Sequence, residues 1–234
     1  MNNFIITMIL AVFGMSVSVP AYGSGQPDLT FGENGRRILD LGVIDPELTG
    51  AETIPFDSIT DHKNYIVLVG RVMEDIIDGK PVAGYYSGWI ARVNADGVFD
   101  TTFAGVGARK LGRFERGYSF TEVLEQPDGK LLVAGMTRDV TLAGEPPIYD
   151  EGVPVVCRFT ESGDLDAAFG AGGCRTLDTV AGRPALRGLP GTEQVFPGGA
   201  LALDKNGRVL VGGSVTEKSP GDLRTFHPVD ITPT

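Results

Sequence analysis

Two histidines and one glycine-flanked serine are the side chains best suited to nucleophilic or acid–base chemistry. His62 stands in a predicted hairpin turn, and His227 directly precedes Pro228. The serine, Ser87, lies in the run Gly-Tyr-Tyr-Ser-Gly at 84–88. This run is GxxSG and not the GxSxG strand–turn–helix elbow of serine esterases, and no helical pattern follows it. We therefore expect both histidines to be exposed turn residues, and we predict no catalytic residue.

Two acidic clusters are the next candidates, because hard cations bind several oxygen ligands and many hydrolases use paired carboxylates. The clusters lie in two long predicted loops: Glu74, Asp75 and Asp78 in the first, and Glu145, Asp150 and Glu151 in the second. Their spacing is far from that of an EF-hand, and a paired-carboxylate site needs acids on facing elements. Solvated loop charge is the favoured interpretation, so we predict no metal and no cofactor.

Aromatic side chains end the same two loops. Tyr85, Tyr86 and Trp89 close the first loop, and Tyr149 closes the second. Aromatic rings that stack on one face of a β-sheet protein can hold a sugar or a peptide. Trp89 begins a strand, so packing is its expected role. An unknown protein or glycan is therefore the predicted class of partner.

A pair of oppositely charged residues recurs at constant spacing. Asp100 follows Arg92 by eight residues, and Asp166 follows Arg158 by eight residues. Since a catalytic pair is not expected once in every repeat, we interpret these pairs as structural. Each arginine is predicted to hold the turn after it, through a charge-assisted hydrogen bond to its aspartate or to turn carbonyls. Asp28 belongs to the same aspartate series but has no arginine eight residues before it.

These pairs belong to longer repeats, each centred on a phenylalanine. Phe31, Phe103 and Phe169 each have an Asp three residues before them and a Gly four residues after them, and each is predicted to fill the core of one unit. A second landmark is an apolar run that follows a turn, at 65–70, 130–135 and 208–213. The turn residues are Lys-Asn, Asp-Gly and Asn-Gly, which predict type I′ turns with positive φ at both central positions.

Each repeat is therefore predicted to contain four short strands, and no segment has a sustained helical period. In the second repeat the strands are expected at 118–126, 130–137, 155–160 and 174–177. The sequence predicts an all-β fold of propeller-type four-stranded units in a single domain at 24–234. The expected units are about 24–52 (partial), 53–112, 118–178 and 199–234 (partial). Such a unit cannot bury both of its faces alone, so the units should stack on their neighbours.

Three segments show the repeat most fully: Gln-Pro-Asp-Gly-Lys-Leu-Leu-Val-Ala-Gly at 126–135, Arg-Val-Asn-Ala-Asp-Gly at 92–97 and Phe-Asp-Thr-Thr-Phe at 99–103. These segments resemble the delta-60 repeat family, β-propeller-like repeats of bacterial exported proteins. The resemblance implies a propeller-like fold and export. It implies no activity, because the family has no common activity and no catalytic motif. The first hairpin departs from the pattern, with His-Lys-Asn at 62–64 where Pro-Asp-Gly is expected.

The N-terminal segment 1–23 is predicted to be a signal peptide that is cleaved near Gly23. An apolar run at 4–13 precedes the small residues Ala21 and Gly23, which fit the −3 and −1 positions of a cleavage site. A cut after Ala21 is the alternative position. A membrane anchor is the alternative function, but the apolar stretch of about 16 residues is shorter than the ~20 that span a bilayer. We expect a secreted or periplasmic protein with no membrane span after cleavage.

The formal net charge is −10, and none of it falls in the segment 1–23. An acidic surface repels phosphate backbones, so nucleic acid is not an expected partner.

The two cysteines, Cys157 and Cys174, stand on predicted third and fourth strands of one unit, and the matching positions of the other unit hold Ala91 and Ala108. We predict a disulfide with Cα atoms within about 7 Å, which export permits.

Closed propellers usually have four or more units, and the sequence holds two complete units and part of a third. Arg92 follows Gly70, and Arg158 follows Gly135, at nearly the same distance along the chain. Counting the same distance from Gly213 passes position 234, so the third strand of the last unit is predicted to be missing; a shorter loop would place that strand at 223–226. The expected result is an open propeller with an exposed sheet edge near 208–215, a poorly ordered tail from Lys218 and self-association through that edge.

The favoured function is an exported, non-catalytic binding or scaffold protein whose ligand is unknown. One alternative is a propeller hydrolase or lyase that uses the loop carboxylates or His62. The acids of the two long loops would then have to converge in one pocket. A second alternative is a truncated paralogue without function.

Overall fold

The computed structural model describes residues 28–48, 51–77, 80–112, 116–141, 148–149, 153–177, 179–180, 183–184, 192–217 and 229–231. Within these residues the chain is all-β, as predicted, and two 3-10 turns, Leu41–Val43 and Pro46–Leu48, are the only helical pieces. The predicted signal peptide lies outside the described residues, as does the predicted tail apart from 229–231.

The first sheet contains four antiparallel strands in chain order. They are β1 (Thr53–Thr60), β2 (Ile66–Ile77), β3 (Lys80–Val93) and β4 (Ala108–Leu111). Strand β2 is buried on both faces, with Val67 and Val69 on one side and Leu68 and Val72 on the other. A strand that is covered on both faces is apolar at successive positions and does not alternate. This explains the run Ile-Val-Leu-Val at 66–69.

The second sheet repeats this arrangement. Its strands are β5 (Arg116–Glu125), β6 (Leu131–Thr141), β7 (Ile148–Tyr149), β8 (Val153–Phe159) and β9 (Cys174–Thr176). The main order is β5-β6-β8-β9, and β7 pairs with the far end of β6. The four strands that the sequence predicts for this repeat are therefore present, and β6 runs further than predicted.

The third sheet has three described strands. After a small hairpin of β10 (Thr179–Val180) and β11 (Arg183–Pro184), it contains β12 (Thr192–Leu203), β13 (Val209–Glu217) and β14 (Val229–Ile231), in the order β12-β13-β14. The described sheets are open and are not joined edge to edge. This agrees with the predicted incomplete propeller.

Strand β14 corrects two predictions about the last unit. It pairs with Val209–Val211 of β13, so the prediction of an exposed edge near 208–215 is wrong for 209–211. Asp230 takes the strand position of Arg92 and Arg158 but stands closer along the chain to Gly213 than either arginine does to its own glycine. The third strand is therefore present because the preceding loop is shorter, and it lies at 229–231, beyond the expected 223–226.

The sheets are stacked face to face, and each contact between them forms one cluster of the core. Val67 and Ile90 of the first sheet pack with Val133 and Val155 of the second. The opposite face of the second sheet packs against the third, through side chains that include Leu132, Val156, Val209 and Val211. The opposite face of the first sheet is covered by the segment 28–48, through Phe31, Leu39, Leu41 and Leu48. Stacking thus satisfies the apolar faces that one unit cannot bury alone.

The hairpin turns are not the predicted type I′. In each of the three turns a single residue has positive φ: Asn64, Gly129 and Gly207. Gly129 N donates to Gln126 O at 2.9 Å, and Gln126 N donates to Lys130 O at 2.7 Å. This is a three-residue loop, a type I turn followed by one left-handed residue. Only that last position needs Gly or Asn, which explains why Asn64 replaces Gly in the first copy.

The predicted disulfide is present between Cys157 and Cys174. The two residues face each other across the β8–β9 pair, and their Cα atoms are 4.0 Å apart. Ala91 and Ala108 face each other in the same way across the β3–β4 pair. The disulfide therefore occupies a cross-strand position that both complete units share.

Candidate functional site

The first charged site is built around Arg92, which is buried at the end of β3. Its Nε donates to Asp100 Oδ2 at 2.8 Å, and its Nη1 donates to the carbonyl of Glu161 at 2.8 Å. Asp61 Oδ2 lies 3.8 Å from the same Nη1. Because Glu161 belongs to a turn of the second sheet, Arg92 holds its own turn and also joins two sheets. Burial raises the pKa of Asp100, but hydrogen bonds from Thr102 and Arg92 outweigh burial, and the pKa is lowered.

Arg158 makes the equivalent contact in the second unit. Its Nε donates to Asp166 Oδ2 at 2.9 Å, and Lys130 Nζ lies 3.1 Å from the same oxygen. The hydrogen bond from Lys130 is the largest cause that lowers the pKa of Asp166. Both Arg–Asp contacts expected from the eight-residue spacing are thus present. The two arginines have separate sets of partners, which supports the structural interpretation.

The three phenylalanines of the repeat lie at equivalent places. Phe103 is fully buried, Phe169 is nearly so and Phe31 is half-buried. The guanidinium of Arg92 lies over the ring of Phe103, and that of Arg158 over the ring of Phe169, at 4.8 and 4.7 Å. The aspartates of the series cap the loops: Asp28, Asp100 and Asp166 each accept a hydrogen bond from the backbone N–H two residues later. The pKa of Asp28 is lowered by its hydrogen bonds from Thr30.

The loop that begins at Phe103 is joined to the next sheet by two further hydrogen bonds. Ala104 N donates to Ser162 O at 2.7 Å, and Arg109 Nε donates to Gly163 O at 2.7 Å. Arg109 stands six residues after Phe103, and Arg37 and Arg175 stand six residues after Phe31 and Phe169. This second arginine series was not predicted, although its constant spacing was readable from the sequence.

The second charged site surrounds His62, at the first hairpin turn. The backbone N–H of His62 donates to Glu125 Oε2 at 2.9 Å, and its Nδ1 lies 2.5 Å from Glu125 Oε1. Glu161 Oε1 lies 3.8 Å from its Nε2 and forms an ion pair with Lys63. Both glutamates belong to the second sheet, so the exposed turn of the first sheet is held to the second sheet by charge. Within the part of the chain that the structure describes, no group of three or more metal-ligating side chains is present.

The His62 contact predicts a pH-dependent stability. The hydrogen bond with Glu125 raises the pKa of His62 above its ordinary 6.5, as do the charges of Glu125, Glu161 and Asp61. Because the folded-state pKa is raised, the stabilisation is fully present below pH ~6.5 and is lost as the pH rises through the folded-state pKa. Between pH ~5.5 and ~8 the Tm of the wild type should fall more than that of His62→Gln.

The matched control for this prediction is Glu125→Gln, which removes the charge that His62 faces and should flatten the pH dependence in the same way. Thermal unfolding followed by circular dichroism measures both. Identical pH profiles for the wild type and His62→Gln would contradict the charge contact.

A third site is an aromatic surface on the first sheet, which we call the aromatic platform. It consists of Phe56 of β1, Arg71 of β2 and Tyr86 of β3. The Arg71 guanidinium carbon lies 4.4 Å from the centroid of the Tyr86 ring and 5.3 Å from that of the Phe56 ring. Phe56 is 44% exposed. The platform thus combines a cation with two rings from neighbouring strands, and Phe56 leaves it partly open to solvent.

The other aromatic and acidic candidates include one buried residue, four residues for which only the strand position is described, and five residues outside the described part of the chain. Trp89 is buried in the core, so its predicted packing role is supported. The structure gives only the strand position of four candidates: Glu74, Asp75, Tyr85 and Tyr149. His227, Asp78, Glu145, Asp150 and Glu151 lie outside the described residues. The convergence of loop acids that the hydrolase or lyase alternative requires depends on residues outside the described part of the chain.

Comparison with known proteins points to the same class as the fold. A family model described as "Domain of unknown function (DUF5122) beta-propeller" matches residues 77–103, which contain β3, its following turn and Phe103. This supports a propeller-like repeat protein. No curated protein matches the chain.

One solved structure is similar in outline: a mannose phosphorylase, MPT-4, from Leishmania mexicana, in complex with phosphate ion. The identity is 13%, the TM-score is 0.45, and the match covers 76% of this chain and 51% of the phosphorylase chain. The match thus spans about half of that protein's length.

Proposed function

We propose that the chain is an exported, non-catalytic binding or scaffold protein built from delta-60-like β-propeller repeats. The apolar segment at 1–23 and the disulfide Cys157–Cys174 support export, because disulfides persist in oxidising compartments. Among the described residues, no helix is long and apolar enough to cross a membrane.

The observation that carries the binding function is the aromatic platform. Phe56 exposes a large apolar ring, and Arg71 and Tyr86 keep a cation and a second ring beside it. Exposed aromatic and arginine side chains are typical anchors of binding surfaces. A ligand with a flat apolar face and a nearby anionic or polar group, as in a glycan or a peptide, fits this surface.

The charged sites favour a scaffold over an enzyme. Arg92, Asp100 and His62 are all engaged in contacts that hold turns or join sheets. A hydrolase or lyase would need such groups to face a substrate. No observation on the described residues favours the enzyme alternative.

Phe56→Ala tests the binding function. Glycan and peptide arrays probed with the mature protein should give at least one reproducible ligand, and Phe56→Ala should weaken its binding about tenfold, equivalent to ~1.4 kcal/mol. Isothermal titration calorimetry with the array hit measures the change.

The matched control is Val98→Ala, since Val98 is also 44% exposed but lies in a turn at the end of β3. It should bind like the wild type. Equal binding by the wild type and Phe56→Ala would reject the platform as the binding surface.

A further inference from the structure

The segment 36–39 occupies the position of a fourth strand. It begins five residues after Phe31, as β4 and β9 begin five residues after Phe103 and Phe169. The preceding loops close identically, because Gly35 N, Gly107 N and Gly173 N each donate to the carbonyl of their phenylalanine, at 2.9, 2.7 and 2.9 Å. The local fold of 28–36 therefore repeats that of the two complete units.

The packing of this segment agrees with the same assignment. Leu39, Leu111 and Leu177 each stand eight residues after their phenylalanine. Leu111 packs in the cluster between the first and second sheets, and Leu177 in the cluster between the second and third. Leu39 packs on the first sheet, beside Leu68 and Trp89. Each leucine thus faces the next sheet along the stack, and the segment 36–39 behaves as the last strand of a sheet that precedes the first one.

No strand of the described residues pairs with this segment. Strands β4 and β9 pair with β3 and β8. Within the described residues, the backbone of 37–39 forms no backbone hydrogen bond. Ile38 is 77% exposed, although isoleucine is usually buried. An unpaired extended segment with an exposed apolar side chain is a template for another strand.

The complementary edge is the outer edge of β14. Val229 pairs with Val211, as Ala91 pairs with Leu68 and Cys157 with Val133. Strand β14 is therefore a third strand, and the described part of the third sheet contains no fourth strand beyond it. The segment 36–39 supplies the strand type that the described part of the third sheet does not contain.

We propose that a second copy of this chain provides the missing pairing: the segment 36–39 of each copy forms the fourth strand of the other copy's third sheet. The three main sheets of the described residues are fewer than the four to eight of closed propellers. Two copies present six sheets, and reciprocal exchange gives a two-fold symmetric dimer with closed sheet edges. The inference rests on the propeller-like architecture and not on the proposed binding function.

The register of the complete units selects the residues for the test. Ala91 faces Ala108 and Cys157 faces Cys174, so Val229 of one copy must face Arg36 of the other. A chain that carries Arg36→Cys and Val229→Cys should form a covalent dimer on a non-reducing gel. Mixing the two single variants should form the mixed dimer. Light scattering of the wild type should give twice the mass of one chain.

Two control variants fix the register and the chain of origin. Ala91→Cys with Ala108→Cys should form a bond within one chain and no dimer. Arg37→Cys with Val229→Cys, shifted by one residue, should not cross-link, because a shift of one residue turns the side chain to the other face. A disulfide within a single Arg36→Cys, Val229→Cys chain, or free thiols under conditions in which the Ala91 control is oxidised, would overturn the proposal.

Discussion

Replacing Arg92 with alanine is expected to lower the free energy of unfolding by about 3–5 kcal/mol, because it leaves buried carboxylates without their cation. The Arg92 and Asp100 side chains are only 6% and 7% exposed, and Asp61 lies beside them. The same substitution removes the hydrogen bond to the Glu161 carbonyl, which joins the first and second sheets. Equilibrium unfolding in urea at neutral pH measures the loss.

Arg158→Ala is the matched control, since it removes the equivalent side chain from the second unit. Asp166 keeps Lys130 Nζ at 3.1 Å, whereas Tyr65 stands at the position of Lys130 in the first unit. The loss should therefore be smaller than for Arg92→Ala, because a cation still pairs with Asp166. Equal losses for the two variants would show that neither the contact between sheets nor the Lys130 cation changes the cost of removing the arginine.

Contacts within one repeat could be predicted from the sequence. The Arg–Asp contacts connect positions 8 residues apart, the disulfide connects positions 17 residues apart, and the paired strands follow one another along the same unit. The Arg–Asp spacing occurs in two copies, and a spacing that is repeated constrains the geometry of both copies. Comparison of Ala91 and Ala108 with Cys157 and Cys174 was sufficient to place the disulfide across one strand pair.

Contacts between stacked sheets could not be predicted from the sequence. Glu125 lies 63 residues from His62, and Glu161 lies 69 residues from Arg92; these contacts exist only because one sheet is laid on the next. Phe56 was missed for a related reason. Its strand has the pattern of any half-buried strand, and the contact with Arg71 depends on strand register. The position of β14 was misjudged because loop length between strands is weakly constrained by folding energetics.

Replacing Phe103 with alanine is expected to cost about 3–5 kcal/mol, the usual loss for a large aromatic side chain removed from a packed core. Phe103 is fully buried in the cluster shared by the first and second sheets. Its ring lies against Gly163, where an added Cβ would be 2.9 Å from the ring. The side chain thus fills the space between a loop of one sheet and a turn of the next. Urea unfolding followed by tryptophan fluorescence and circular dichroism measures the loss.

Phe31→Ala separates the contribution that packing between sheets makes to stability from the contribution of the local loop. Phe31 closes an equivalent loop and lies against Gly97, as Phe103 lies against Gly163, but its side chain is only half-buried. Its removal should therefore cost less than the removal of Phe103. Because Trp89 reports on the first sheet and circular dichroism reports on all sheets, a Phe103→Ala variant that weakens the contact between sheets should separate the two unfolding transitions. Coincident transitions with an unchanged midpoint would mean that Phe103 does not couple the sheets.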